Sequence, residues 1–375
     1  MKPIRSPILR GLGAGVGVTG GKFCKKLRDL GVDATIGGAN LTLDELCNHI
    51  DDAKTKKKGR GKLGVNLMVF DRQFEDLVQL CDEKIVDYIV MSAGIDMNLI
   101  DKINEYKKIK ANIIPKLSTP IDIIKLAFNP NVKEIHVEGG EAVGYLDVTN
   151  SQQLKSTEEI INDSFKGIVG KIYMKETKGA EIDEAYIQKI IDNYPIYQRK
   201  YKIAKLIACG VPEKDYKSIL QNGADGIGIA LEFIVTKEGT PHDDWKKMQV
   251  KANDTILFRS PIKNILGQAL LNDYIRNYFE LKAGVYVPKE KFNYEGTKFC
   301  EKMCMQPDFC EKSNAVNKAN MDYSFCLRQA LVDTAINGYV NYGIVFSSEN
   351  VKYINKIPWL KSVVNRKLQL LKSLK

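Results

Sequence analysis

Short apolar runs and amphipathic stretches alternate along the first two-thirds of the chain. Runs rich in Ile and Val fall at 7–10, 33–36, 63–69, 87–91, 112–116, 134–138, 203–208 and 225–230. Most are followed by Gly, Ser, Pro or Asn, as strands that end in turns are. Between them, stretches such as 74–81 and 98–106 place apolar residues at helical spacing. Eight strands alternating with helices predict an α/β fold, a closed TIM (β/α)8 barrel over 1–260. An open doubly wound sheet stays as the alternative, because periodicity does not show closure. The interval 150–202 is too long for one connection and holds helical patterns near 157–164 and 184–193, so it reads as an insertion after strand six. Beyond Pro261 the strand signals stop, and 261–375 reads as a smaller, mainly helical subdomain containing cysteines.

The length of 375 residues suits one barrel of roughly 250 residues with an appended unit. A chain that is 44% hydrophobic and 27% charged has the composition of a globular protein and not of a disordered one. No apolar run approaches the roughly 18 residues that a membrane helix needs. The opening MKPIRSPILRGLG lacks the apolar stretch and cleavage site of a signal peptide. A cytoplasmic location is expected, with no membrane contact. The formal net charge of +10 raises the question of nucleic acid. The lysines, however, are spread along the whole chain. The one dense run, from Lys54 to Lys62, lies between a helical pattern and a strand, where a solvated loop is expected. Nucleic acid is therefore not an expected partner.

Chemistry in such a barrel belongs at the carboxyl ends of the strands. Strand one leads into Gly11-Leu12-Gly13-Ala14-Gly15, continuing Val16-Gly17-Val18-Thr19. Glycines at this density let backbone N–H groups approach a flat ring or a phosphate, although a plain tight turn has the same look. Strand three carries Asn66 and strand five ends at Lys116. Strand six runs into Glu138-Gly139-Gly140-Glu141-Ala142-Val143-Gly144-Tyr145. Strand seven ends in Cys209-Gly210, and strand eight leads into Gly228-Ile229-Ala230-Leu231. Small residues after the last two strands stand where barrels commonly hold a phosphate.

Taken in this order, the motifs resemble those of the FMN-dependent nitronate monooxygenases, also called 2-nitropropane dioxygenases. That family reads approximately PIIQGGMGVGVS, GVNLM, EGxxAGGHLG, AAGGI and GADGVQMGTRF at the corresponding points. Flavin-dependent enoyl-ACP reductases share the plan. The segment Asp254-Thr255-Ile256-Leu257-Phe258-Arg259-Ser260-Pro261 also looks like the family's DTVLVRSP, so the resemblance spans nearly the whole chain. It implies an FMN-dependent monooxygenase acting on a small molecule. It also implies flavin contacts from Gly11, Gly13, Ala14, Asn66, Lys116, Glu138, Ala142, Cys209, Gly210, Ala230 and Leu231.

The departures from the pattern matter as much. Tyr145 stands where the family's catalytic His closes its motif. A phenol with a pKa of about 10 stays protonated near neutrality, where an imidazole titrates. The chain has three histidines, His49, His136 and His242. Of these His136 falls inside strand six, where it reads as a satisfied core residue or as a relocated base. Glu138 and Glu141 could act as carboxylate bases in an apolar mouth, or simply bond loop backbone. Ala230-Leu231 replaces the Gly-Thr that holds the FMN phosphate, removing a hydroxyl and placing an apolar side chain there. FMN is thus expected to bind weakly or to be lost.

Cys300, Cys304, Cys310 and Cys326 suggest zinc or an iron–sulfur cluster by count alone, but their spacing fits no common site, and no metal is expected. Two functions remain in view. One is a flavin oxidoreductase with altered catalytic and phosphate sites. The other is a catalytically inactive barrel serving as a scaffold within a larger protein assembly.

Overall fold

Eight parallel strands close into a barrel in a computed structural model of the protein. They are β1 (Ile8–Gly11), β2 (Asp33–Gly37), β3 (Leu63–Met68), β4 (Tyr88–Ser92), β5 (Asn112–Leu117), β6 (Glu134–Glu138), β8 (Lys205–Cys209) and β9 (Gly226–Ile229), in that order around the barrel. The structure describes residues 7–15, 17–39, 41–54, 61–69, 71, 73–92, 106, 109–142, 144–145, 154–179, 181–260, 266–289 and 330–374. Closure comes from β1 pairing with both β2 and β9, with Gly11 beside Ala34 on one side and Ile229 on the other. The expected strands are all present within a residue or two, and the open-sheet alternative falls away.

Side chains alternate across each strand, so one set faces the helices and the other fills the barrel. The outward set is apolar: Ile36, Val65, Ile89, Ile135, Leu206 and Ile227 are fully buried in the main hydrophobic core. Helices α1 (Gly21–Asp29), α2 (Leu43–Asp52), α3 (Phe74–Glu83) and α4 (Pro120–Ala127) lay their apolar faces on that layer. Their starts are set locally. Thr42 and Glu45 form a capping box on α2, and Thr119 caps α4 with Pro120 in its first turn.

The inward set is different. Barrel interiors are usually dominated by branched apolar residues. Here Tyr88, Val90 and Ile114 form a small apolar cluster inside, and Arg10, Glu134 and His136 are buried with it. Gly64 makes room for the Tyr88 ring, since a Cβ there would lie 2.0 Å from it.

Between β6 and β8 the chain forms β7 (Gly144–Tyr145), α5 (Thr157–Thr177), α6 (Glu184–Asp192) and α7 (Tyr194–Lys200). Ile160, Ile161, Ile168 and Ile172 seat α5 in the main core beside α4. After β8 come α8 (Tyr216–Gln221), and after β9 the short α9 (Leu231–Ile234) and α10 (Asp243–Lys251). The C-terminal part ends in helix α12 (Leu360–Ser373), which packs on α9.

Strand signals do not stop at Pro261. Strands β10 (Ile256–Arg259), β11 (Leu266–Ala269), β12 (Phe279–Lys282) and β13 (Val285–Pro288) join β7 in a second sheet, ordered β12-β13-β10-β11-β7, with α11 (Asp273–Tyr278) between β11 and β12. The physical signal was a two-residue hairpin turn at Ala283-Gly284, both with positive φ (48° and 80°). Four-residue strands carry too little alternation to announce themselves, which is why this sheet is invisible to periodicity. No helix among the described residues is long and apolar enough to cross a membrane.

Candidate active site

The carboxyl ends of the barrel strands open into one cleft. Its floor and walls are Gly13, Ala14 and Gly15 after β1, Asn66 and Met68 on β3, Lys116 on β5, and His136 and Glu138 on β6. Ala142, Gly210 and Ala230 line it from the later loops. Its cover is apolar and comes from Ile234, Trp245, Leu331, Ala335 and Phe346. A mostly apolar cleft with a few convergent polar groups is the ordinary form of a small-molecule site.

The glycine turn is held tightly. A Cβ on Gly13 would lie 2.8 Å from Asn66 Cβ, and one on Gly37 would lie 1.6 Å from the Ala14 carbonyl oxygen. The turn is braced from α2, where His49 Nδ1 accepts from the Gly21 N–H at 3.2 Å. Asn66 Nδ2 donates to the Gly13 carbonyl at 3.4 Å, while Asn66 Oδ1 is buried without a hydrogen-bond partner. Lys116 and Glu138 form an ion pair at the mouth.

Below that pair lies a buried polar column. Glu134, His136 and Glu138 sit two residues apart on β6 and so face the interior together. His136 Nε2 lies 3.3 Å from Glu134 Oε1. Glu134 is 3.0 Å from Arg10 Nη2, which also donates to Asp33 Oδ2 at 3.2 Å. The Arg10 guanidinium stacks 4.2 Å over the Tyr88 ring, and Tyr88 and Thr35 share a hydrogen bond of 2.9 Å. Burial pushes the His136 imidazole below its ordinary value, opposed by Glu134. Burial alone would raise the Glu134 carboxyl, but His136 and Arg10 outweigh it and hold it low.

The structure brings most of the sequence-predicted residues to this cleft, though not all. Gly11 packs on Leu27 and Phe233 behind the barrel wall. Cys209 is buried beside Gly228, where burial pushes its thiol up. Leu231 points into the main core and does not line the cleft. Gly210 N–H already donates to the Gly228 carbonyl at 3.1 Å, and Asn350 Nδ2 donates to the Gly210 carbonyl at 2.6 Å. Glu141 lies in a separate polar cleft, accepting the Thr157 N–H at 2.8 Å, and burial raises its carboxyl. Tyr145 pairs with Gly267 through its backbone in the second sheet, and its side chain is outside the described residues. So are Cys300, Cys304, Cys310 and Cys326, and most of the basic run.

The apolar cover is not legible in the sequence, since Leu331, Ala335 and Phe346 look like any core residue there. Nor does the sequence separate a core His136 from one that lines the cleft, as it does here.

These features define a (β/α)8 barrel with a single-ended, glycine-walled cleft. No family model matches the sequence, and no curated protein does. Solved structures do share the fold. FabK from Thermotoga maritima superposes with a TM-score of 0.66 at 16% identity, over 98% of this chain and 93% of that one. A nitroalkane oxidase from Streptomyces ansochromogenes gives 0.62 at 12% identity, over 98% and 97%. The enoyl reductase domain of MlnA, from the macrolactin biosynthesis cluster of Bacillus amyloliquefaciens, gives 0.60 at 16%, over 98% and 94%. The likeness is one of fold.

Proposed function

We propose that the protein is a flavin-dependent oxidoreductase acting on a small carbon substrate at the barrel mouth. The observation that carries this reading is Asn66 Oδ1, a buried acceptor without a partner in a mostly apolar, glycine-walled cleft. A buried polar group left unpaired costs about 1–3 kcal/mol, so a ligand with an N–H at that point is favoured. An isoalloxazine ring carries such an N–H on a flat edge, and the side-chain-free turn at Gly13 admits a flat ring. A flavin supplies two-electron acceptor chemistry when bound. The chain's own groups then have clear tasks. The Lys116 ammonium, beside Glu138, stabilises negative charge that develops at the mouth. Trp245 and Phe346 exclude water from the reacting groups.

The ring end fits FMN and the phosphate end fits it poorly. The Gly210 N–H is already bonded, and Leu231 brings no hydroxyl. That poor fit favours a second reading, a barrel kept as a scaffold for protein partners. Titration of the purified protein with FMN, followed by flavin fluorescence, separates the two. Saturable quenching with weak affinity supports the oxidoreductase, and no quenching at millimolar flavin leaves the scaffold.

A further inference from the structure

We infer that His136 is the proton-accepting group of this cleft, with Glu134, clamped by Arg10, as its positioning residue. The inference rests on the oxidoreductase reading for its place in a reaction. Its geometry stands without a flavin.

Three observations carry it. First, His136 lines the cleft although its side chain is only 1% exposed, so a ligand in the cleft is what it meets. Second, its Nε2 lies 3.3 Å from Glu134 Oε1, so a carboxylate stands directly beside the imidazole. A carboxylate behind an imidazole is the arrangement that orients a histidine base and stabilises its protonated form. Third, the charges around it close with the imidazole neutral. Lys116 and Glu138 above it offset each other. Below it, Arg10 and Lys205, the register partner of Glu134, meet the two carboxylates of Asp33 and Glu134. Tyr88 on β4 and Cys209 on β8 have their ionisations pushed up by burial and stay neutral. Burial keeps the resting imidazole neutral, and the Glu134 carboxylate beside it faces the charge that a proton brings. That is what a base needs: neutral before transfer, stabilised after it.

The step is a balanced proton transfer. The C–H bond next to a nitro or carbonyl group breaks, and its proton passes to the neutral His136 imidazole. The electron pair stays on the substrate as the nitronate or enolate, and Lys116 faces the charge. The imidazole therefore comes from the wall of strand six, replacing the loop position that Tyr145 occupies.

Exchange of deuterium into C2 of 2-nitropropane in D2O, followed by proton NMR with the full chain, tests this without any redox step. Wild type should accelerate exchange, with a rate that rises with pH through a single titration. His136→Gln should lose on the order of a hundredfold or more of that acceleration. Glu134→Gln keeps the shape and an acceptor oxygen but removes the charge, so the titration should move down by about one pH unit or more. A purely structural Glu134 would change the rate or stability and leave the titration in place. Circular dichroism melts establish that each variant is folded, and His136→Asn serves if the Gln variant is not. Exchange that is unaccelerated in wild type, or undiminished in folded His136 variants, overturns the inference. FMN quenching on the same samples reports separately on the oxidoreductase reading.

Discussion

The ammonium of Lys367, on the C-terminal helix, lies between two carboxylates of the barrel, 2.6 Å from Glu232 Oε2 and 2.7 Å from Glu213 Oε1. Its side chain is 0% exposed, and its third contact is the Tyr216 hydroxyl at 3.2 Å. Glu232 occupies the place of an arginine in the motif that this chain resembles. The substitution makes sense here as the anchor for α12, whose Val363, Val364 and Leu371 complete the core over the short α9. The short helix after the last barrel strand is thereby covered by a helix from the far end of the chain.

Lys367→Met should therefore destabilise the protein far more than a surface lysine change. Removing one partner from a buried ion pair costs about 3–5 kcal/mol, and the partial exposure of Glu213, with Arg366 still 3.1 Å from both carboxylates, places this one at the lower end. Urea unfolding of the variant should show the midpoint fall with its slope unchanged. A midpoint like that of wild type would mean that α12 is held by its apolar face alone.

Ala230→Gly with Leu231→Thr should leave FMN affinity as it is, because position 231 faces the main core and a hydroxyl there does not reach the cleft. The same change should lower stability by about 2 kcal/mol or more, because Leu231 is 3% exposed in the main core. Fluorescence titration and thermal melts read the two effects separately. A gain of roughly tenfold or more in affinity would show that position 231 can turn to the ligand.

Gly13→Ala puts a methyl group 2.8 Å from Asn66 Cβ, a contact that one of the two must yield. Overpacking of this kind costs about 1–3 kcal/mol. The displaced side chain is the one whose Oδ1 is proposed to meet the ligand. Flavin binding should weaken at least tenfold, with only a modest drop in melting temperature. Equal binding in variant and wild type would remove Asn66 from the site.

A pH effect should come from Asp225 in the loop before β9. It accepts from the Leu206 N–H and from Gln198 Nε2, both at 3.0 Å, yet burial raises its carboxyl to about 6 from 3.8. A raised folded value means that the fold prefers the protonated acid. That contribution is fully present below 3.8 and is lost as the pH rises through about 6, a difference of about 3 kcal/mol. Asp225→Asn accepts the same bonds without the charge. Its advantage over wild type should thus be large near pH 7 and close to zero near pH 3.5. An advantage independent of pH in urea melts would rule the titration out.

Much of this protein is determined by sequence that acts over a few residues. The barrel strands follow from Ile- and Val-rich runs ended by turn residues, and the helix starts from caps such as Thr42 and Ser156. The glycine turn after β1, and Asn66, Lys116 and Glu138 at strand ends, are legible because strand position alone sends them to one face of a closed barrel. Tertiary structure decided what depends on partners distant in the chain. Arg10 meets Glu134 across the barrel, and only closure makes that meeting. His136 looks the same in sequence whether it is a core residue or a cleft residue. Leu231 was expected to line the site and instead lies in the main core, packed at the start of a four-residue helix. The cover of the cleft and the second sheet are built from short apolar pieces with no period of their own. Local propensity sets where a strand begins and ends. Which buried charges face one another is set by the register of eight strands at once.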